Sequence, residues 1–149
     1  AKGAEHAKEH GLDLAEIVAT RLSPDMLPFS FQAISVYHHS LGTIRAIEGG
    51  VFGGPPSMPD MDYAGLQELI DNAATELQGI SPEQIDALEG AGVMFKIGDF
   101  EIPFTAENYI LSFSLPNLYF HATTLYDMLR IAGVPLGKMD FLGQMRTTG

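Results

Sequence analysis

Residues 105–132 read TAENYILSFSLPNLYFHATTLYDMLRIA, and the fold turns on this stretch. Thr105 is a natural N-cap, Gly133 a natural stop, and Pro135 lies just beyond, so one long helix is expected to about Ala132. Tyr109, Ile110, Leu111, Phe113, Leu115, Leu118, Phe120, Leu125, Met128 and Leu129 make it apolar almost all round, as in a helix buried on most faces. Pro116 removes one backbone hydrogen bond and frees the Ser112 carbonyl, which predicts a kink. Against this apolar background Ser114, Asn117, His121 and Thr124 recur at spacings of three, four and three, which places all four on one face. Buried polar groups need partners. The stripe therefore faces a polar pocket or bonds to a neighbouring helix.

The neighbour is upstream. Asp25 caps a helix that is expected to run to about Glu48, with Pro28 in its first turn and Gly49-Gly50 at its end. At 1.5 Å per residue it is roughly 35 Å long. Leu27, Phe31, Ile34, His38 and Leu41 share one face, and His39 shares another with Gln32, Ser35 and Thr43. This helix is apolar on both sides, so periodicity alone allows either ring to meet the stripe. A lone core histidine is more often structural. Imidazoles converging from two helices are suited to proton transfer or metal ligation.

Shorter elements surround this pair. Residues 1–10 read as a helix closed by Gly11, and Leu14–Thr20 as a second, capped by Asp13 with Glu16 three residues on. Residues 51–61, VFGGPPSMPDM, form a loop that either connects or lids a pocket. Asp62 caps a helix to about Gln78, and Ser81-Pro82-Glu83-Gln84 opens a short one. Then Val93, Phe95 and Ile97 alternate with Met94 and Lys96, and Phe100, Ile102 and Phe104 with Glu101 and Pro103, around Gly98-Asp99. Folded there, Ile97 faces Phe100, Lys96 faces Glu101, Phe95 faces Ile102 and Val93 faces Phe104. Pro103 confines its strand to an edge, and the apolar face must lie on helices. A turn is expected at Met139–Leu142.

The 149 residues suit one domain, and 46% apolar content suffices for one core. With 8 basic and 19 acidic residues the formal charge is −11, which disfavours nucleic acid and anionic membrane surfaces as partners. No Cys is present, so disulfides, thiolate–zinc sites and thiol nucleophiles are excluded. That composition suits the cytoplasm, which is the expected compartment. No apolar run approaches the ~20 residues of a membrane span. The His6/His10 pair and the acids Asp60, Asp62, Glu68, Asp71 and Glu76 read as solvated helix surface.

The strings SLPNLYFHATTLYDMLRIAGVPLGKMDFLG at 114–143, LSPDMLPFSFQ at 22–32, YHHSLG at 37–42 and IPFTAENYILSF at 102–113 resemble an uncharacterised bacterial and fungal family of unknown function. That family is placed in the DinB/YfiT-like superfamily of four-helix bundles, and the resemblance spans most of the chain. It implies an all-α architecture, an up-down four-helix bundle with a crossover, carrying here one small β-hairpin at about 93–104. It also implies a homodimer, and a further helical stretch before residue 1. Many DinB-like proteins hold a divalent metal, zinc or nickel, through three histidines, and some use it for transfer or hydrolysis. Carried over by position, those ligands fall on His121, on Asn117 and on His38 or His39, with HSLG favouring His39. An amide in place of one imidazole is a weak ligand for such a metal; Glu107 or a water is the other candidate for the third position.

The functional expectation is a small-molecule pocket between the second and last bundle helices. His39 and His121 would do acid–base work there, and His38, Ser114, Asn117 and Thr124 would orient the ligand. Phe31, Phe113, Tyr119 and Phe120 would line it. Two alternatives stand beside it: a metal-dependent transferase or hydrolase using His39, Asn117 and His121, and a dimerising bundle whose histidines only complete the core.

Overall fold

In the computed structural model, which describes residues 1–56, 58–145 and 147, the chain opens with α1 (Lys2–His10), α2 (Leu14–Ala19), α3 (Phe29–His39) and α4 (Leu41–Gly49). Strand β1 (Val51–Phe52), α5 (Tyr63–Gln78), α6 (Pro82–Asp86) and strands β2 (Gly92–Ile97) and β3 (Phe100–Thr105) follow. The last run is α7 (Ala106–Tyr109), a π-helical turn (Ile110–Ser114) and α8 (Leu115–Ile131), and α9 (Lys138–Leu142) occupies the expected tail turn.

Local chemistry sets most of these boundaries. Asp62 accepts from the Gly65 N–H to open α5, and Ser81 with Gln84 forms a reciprocal capping box on α6. Thr105 caps α7 through the Asn108 N–H. The hairpin has the expected register, from Ile97 opposite Phe100 to Val93 opposite Phe104. Its turn needs Gly98, whose φ of 58° a side chain would strain. Lys96 pairs with Glu101 on the solvent side, and β3, with Pro103, is an edge strand.

Three features depart from the expected elements. First, the long upstream helix begins at Phe29, with Pro28 as N-cap, and breaks at Ser40 (φ −106°, ψ −94°). The Ser40 hydroxyl donates to the Val36 and Tyr37 carbonyls, the back-bonding by which serine bends helices. Second, Val51 and Phe52 form a strand, paired in parallel with Met94 and Phe95. Third, the expected single helix is divided before Pro116 by a π-turn, where the Leu115 N–H reaches back five residues to the Ile110 carbonyl.

Two apolar clusters result. Ala7, Ile17, Phe29, Ala33, Leu66 and Met128 form one; Ala46, Ile47, Phe52, Val93, Phe95, Ala106 and Tyr109 form the other. Along α3 and α4 the chain passes from the first cluster to the second through Gln32, Ser35, His38, His39 and Thr43, all buried. No helix among the described residues is long and apolar enough to cross a membrane.

Candidate functional site

A cavity of about 190 Å³ opens along this polar stretch. α3 supplies Phe31, Ser35, His38 and His39. The π-turn supplies Phe113 and α8 supplies His121. Phe52 and the Gly53-Gly54-Pro55 segment close one side, and Phe95 and Ile97 of β2 another. The segment after Gly50 is thus a wall of the pocket as well as a connector. Among the described residues none that lines it carries a carboxylate, ammonium or guanidinium.

His121 is held in one tautomer. Gln32 donates through Nε2 to the Leu27 carbonyl at 3.0 Å, which turns its amide oxygen to His121 Nδ1 at 2.7 Å. The Nδ1 therefore carries the proton and donates. In the neutral ring Nε2 keeps a free lone pair. His38 is fixed the other way: its Nε2 donates to the Gly53 carbonyl at 3.1 Å while its face stacks on Phe52, centroids 4.2 Å apart. His39 lies between them, 5.4 Å from His38 and 5.8 Å from His121 by ring centroid, almost parallel to the latter.

The backbone break at Ser40 contributes to this arrangement. The Thr43 N–H bonds Ser40, not His39, so the His39 carbonyl is free for side-chain donors. Ser114 reaches it at 3.0 Å and the Thr43 hydroxyl at 3.1 Å, and these two hydroxyls also contact each other. α4 and the end of the π-turn are thereby tied to the backbone beneath His39. The Tyr109 hydroxyl approaches the same pair without a well-aligned hydrogen bond, and burial pushes its phenol up.

Two lining residues carry buried atoms with no partner among the described residues, His39 Nδ1 and Ser35 Oγ, one helical turn apart. Burial pushes the His39 ring down to about 4, and its neighbours His38 and His121 push in the same direction. Burial also lowers His121, and lowers His38 against the Gly53 bond that favours its charged form. At neutral pH the site is three uncharged imidazoles in an aromatic box.

Of the stripe expected on the last helix, His121 alone lines the cavity. Ser114 makes the interhelical link just described. Asn117 Nδ2 donates to the Phe113 carbonyl at 2.7 Å, next to Pro116 and the π-turn, and Thr124 donates to the Phe120 carbonyl at 2.8 Å, so both serve their own helix. Tyr119 and Phe120 are exposed, although Phe120 meets the His121 ring edge-on. Both histidines of the HH pair line the cavity, and it is His39 that stacks toward His121. Gln32, Ser35, Phe52 and Phe95 were not singled out by motif. The first two share the His39 face in the helical count, which is the signal that finds them. The two phenylalanines come together only through the parallel pairing of β1 with β2.

The model of a family described as Domain of unknown function (DUF1993) matches residues 1–142. The chain belongs to this family. A crystal structure of a DinB family member protein from Shewanella denitrificans matches with a TM-score of 0.78 at 23% identity, over 99% of this chain and 83% of that one. That likeness establishes the DinB-like fold, here mostly helical with a three-stranded sheet. No curated protein matches the chain.

The metal that DinB-type folds suggest can be tested on the donor atoms of this DUF1993 chain. The Asn117 amide is spent on Phe113 and lies outside the cavity lining. His38 Nε2 and His121 Nδ1 bond Gly53 and Gln32, which leaves one nitrogen of each ring as a donor atom, and Glu107 accepts from the Gly90 N–H at 2.6 Å, away from the cavity. Among the described residues no three His, Cys, Asp or Glu are grouped to hold a metal ion. A tetrahedral centre needs nitrogens about 2.0–2.1 Å from one point, and the described residues offer no three such ligands grouped around one.

Proposed function

We propose that this DUF1993 chain binds a small polar molecule in the cavity between α3, α8 and the sheet. The observation that carries this is the convergence of His39 and His121 on an aromatic-walled cavity of about 190 Å³, with the Gln32 bond to His121 Nδ1 leaving its Nε2 lone pair unengaged. A ligand donor that bonds this nitrogen adds a hydrogen bond worth about 1 kcal/mol. His39 and His121 are the proton-handling groups of the reading. A ring with a pKa of about 4 is a weak base at neutral pH, so binding and orientation come first and any acid–base step would act on the bound molecule's own acidic proton.

A fragment library screened by ligand-observed NMR against the wild type and against His39→Phe, which fills the space, tests the reading. Hits that bind the wild type and vanish in the variant support it. Hits indifferent to the substitution, or none at all, overturn it in favour of a structural bundle. A stoichiometric zinc or nickel ion kept through dialysis and lost in His121→Phe would overturn it in favour of the metal enzyme. A homodimer is the proposed assembly, supported by the exposed apolar side chains Tyr119, Phe120 and Ile131 on α8. Sedimentation equilibrium checks it, and a monomer at working concentration removes it.

A further inference from the structure

The cavity also limits the class of molecule it takes, an inference that rests on the cavity being a binding site. Its size comes first. A cavity of ~150 Å³ is known to hold one benzene ring, and about 190 Å³ admits one ring with a small substituent. The walls come next. Phe31, Phe52, Phe95 and Phe113 approach from α3, β1, β2 and the π-turn, and aromatic faces and edges favour an aromatic guest.

Charge then excludes most ring compounds. Among the described residues no cation lines the space to meet a carboxylate or phosphate, and no carboxylate lines it to meet an ammonium group. A buried ion without a partner is strongly disfavoured. The chain's net charge of −11 opposes anions further. Yet the guest is not a plain hydrocarbon. His121 Nε2 is an acceptor by virtue of the Gln32–Leu27 chain. Binding a hydrocarbon would leave it unpaired.

We infer that the cavity accommodates an uncharged, single-ring aromatic molecule carrying an O–H or N–H donor, of the phenol type, with His121 Nε2 as the acceptor for that donor. The donor's proton is shared with His121, and the ring lies against the phenylalanines.

Phenol, toluene, benzoate and acetamide are the probes, titrated separately into ¹⁵N-labelled protein while backbone amide shifts of 31–39, 52–54 and 113–121 are followed. Phenol is expected to bind roughly tenfold more tightly than toluene, the ratio one buried hydrogen bond supplies. Benzoate and acetamide are expected to leave these amides unmoved. In His121→Phe the preference for phenol over toluene is expected to disappear while toluene still binds. Ser35→Ala, which leaves the Gln32 chain intact, is expected to keep it. Equal binding of phenol and toluene by the wild type, or a phenol preference retained in His121→Phe, overturns the inference. Saturable shifts at these amides with benzoate or acetamide but not phenol also overturn it, while leaving the cavity a binding site. If no probe moves these amides at millimolar concentration, both the inference and the binding site fall. Should His121→Phe unfold, equal affinities of the wild type for phenol and anisole, which lacks the donor proton, overturn the inference.

Discussion

Replacing His39 by glutamine removes a titratable ring from the polar layer and should make the protein less sensitive to acid. In the folded chain burial holds this ring at about 4, and in the unfolded chain it returns to its ordinary value of 6.5. Between those two pH values the unfolded state binds a proton here and the folded state does not. The folded state is therefore favoured as pH rises through the window, and the advantage is lost as pH falls from 6.5 toward 4. Below about 4 both states are protonated and the difference stops growing. At 1.36 kcal/mol per pH unit the full loss is about 3 kcal/mol. Carboxylates also titrate in this range, but they are common to both proteins and cancel in the comparison. Urea unfolding followed by circular dichroism at pH 7, 6, 5 and 4 measures it. The wild type should lose about 3 kcal/mol more than His39→Gln between pH 7 and 4. Parallel curves, within about 0.5 kcal/mol, would refute the claim that His39 is buried as a neutral ring, since only a shifted group creates such a slope.

Further substitutions probe the supports of the site. Gln32→Leu removes the acceptor for His121 Nδ1–H and should cost about 1–3 kcal/mol, with the His121 ring nitrogens moving toward mixed tautomers in long-range ¹⁵N spectra. Ser114→Ala deletes one of two hydroxyls on the His39 carbonyl and should cost about 1–2 kcal/mol, read as a lower Tm with unchanged helix content. Gly98→Ala places a side chain at φ 58° and should cost about 1 kcal/mol without altering the cavity; an unchanged Tm would show that the hairpin turn has a different conformation.

The parts of this fold that depend on neighbours in the chain were readable from the residues. The capping groups of α5 and α6 and the whole register of the hairpin follow from side chains within a few positions of each other. Non-local pairing was not readable. Val51 and Phe52 are too few to show alternation, and they become a strand only because β2 lies beside them. The break at Ser40 and the π-turn before Pro116 were also hidden, because each is a local compromise between backbone bonding and packing that periodicity assumes away. The site was legible in proportion. His121 stands out by type and spacing, whereas periodicity leaves His38 and His39 open and only the resemblance of HSLG favours His39; the His39 and His121 rings come within 5.8 Å across α3 and α8. Asn117 and Thr124 share a face with His121 in the count, but short polar side chains can bond their own helix, and both do. Gln32 was visible only as a neighbour of His39 on one face, whereas its contact is with the other ring.

The central claim is that the cavity between α3 and α8 binds a small molecule through its imidazoles. Long-range ¹H–¹⁵N correlation of the five histidine rings during titration with a confirmed fragment hit tests it most directly. The account predicts that His121 Nε2 and the His39 nitrogens shift in a saturable way, while the surface pair His6 and His10 stays fixed. Shifts confined to His6 and His10, or unmoved His39 and His121 rings at saturating fragment, would contradict it.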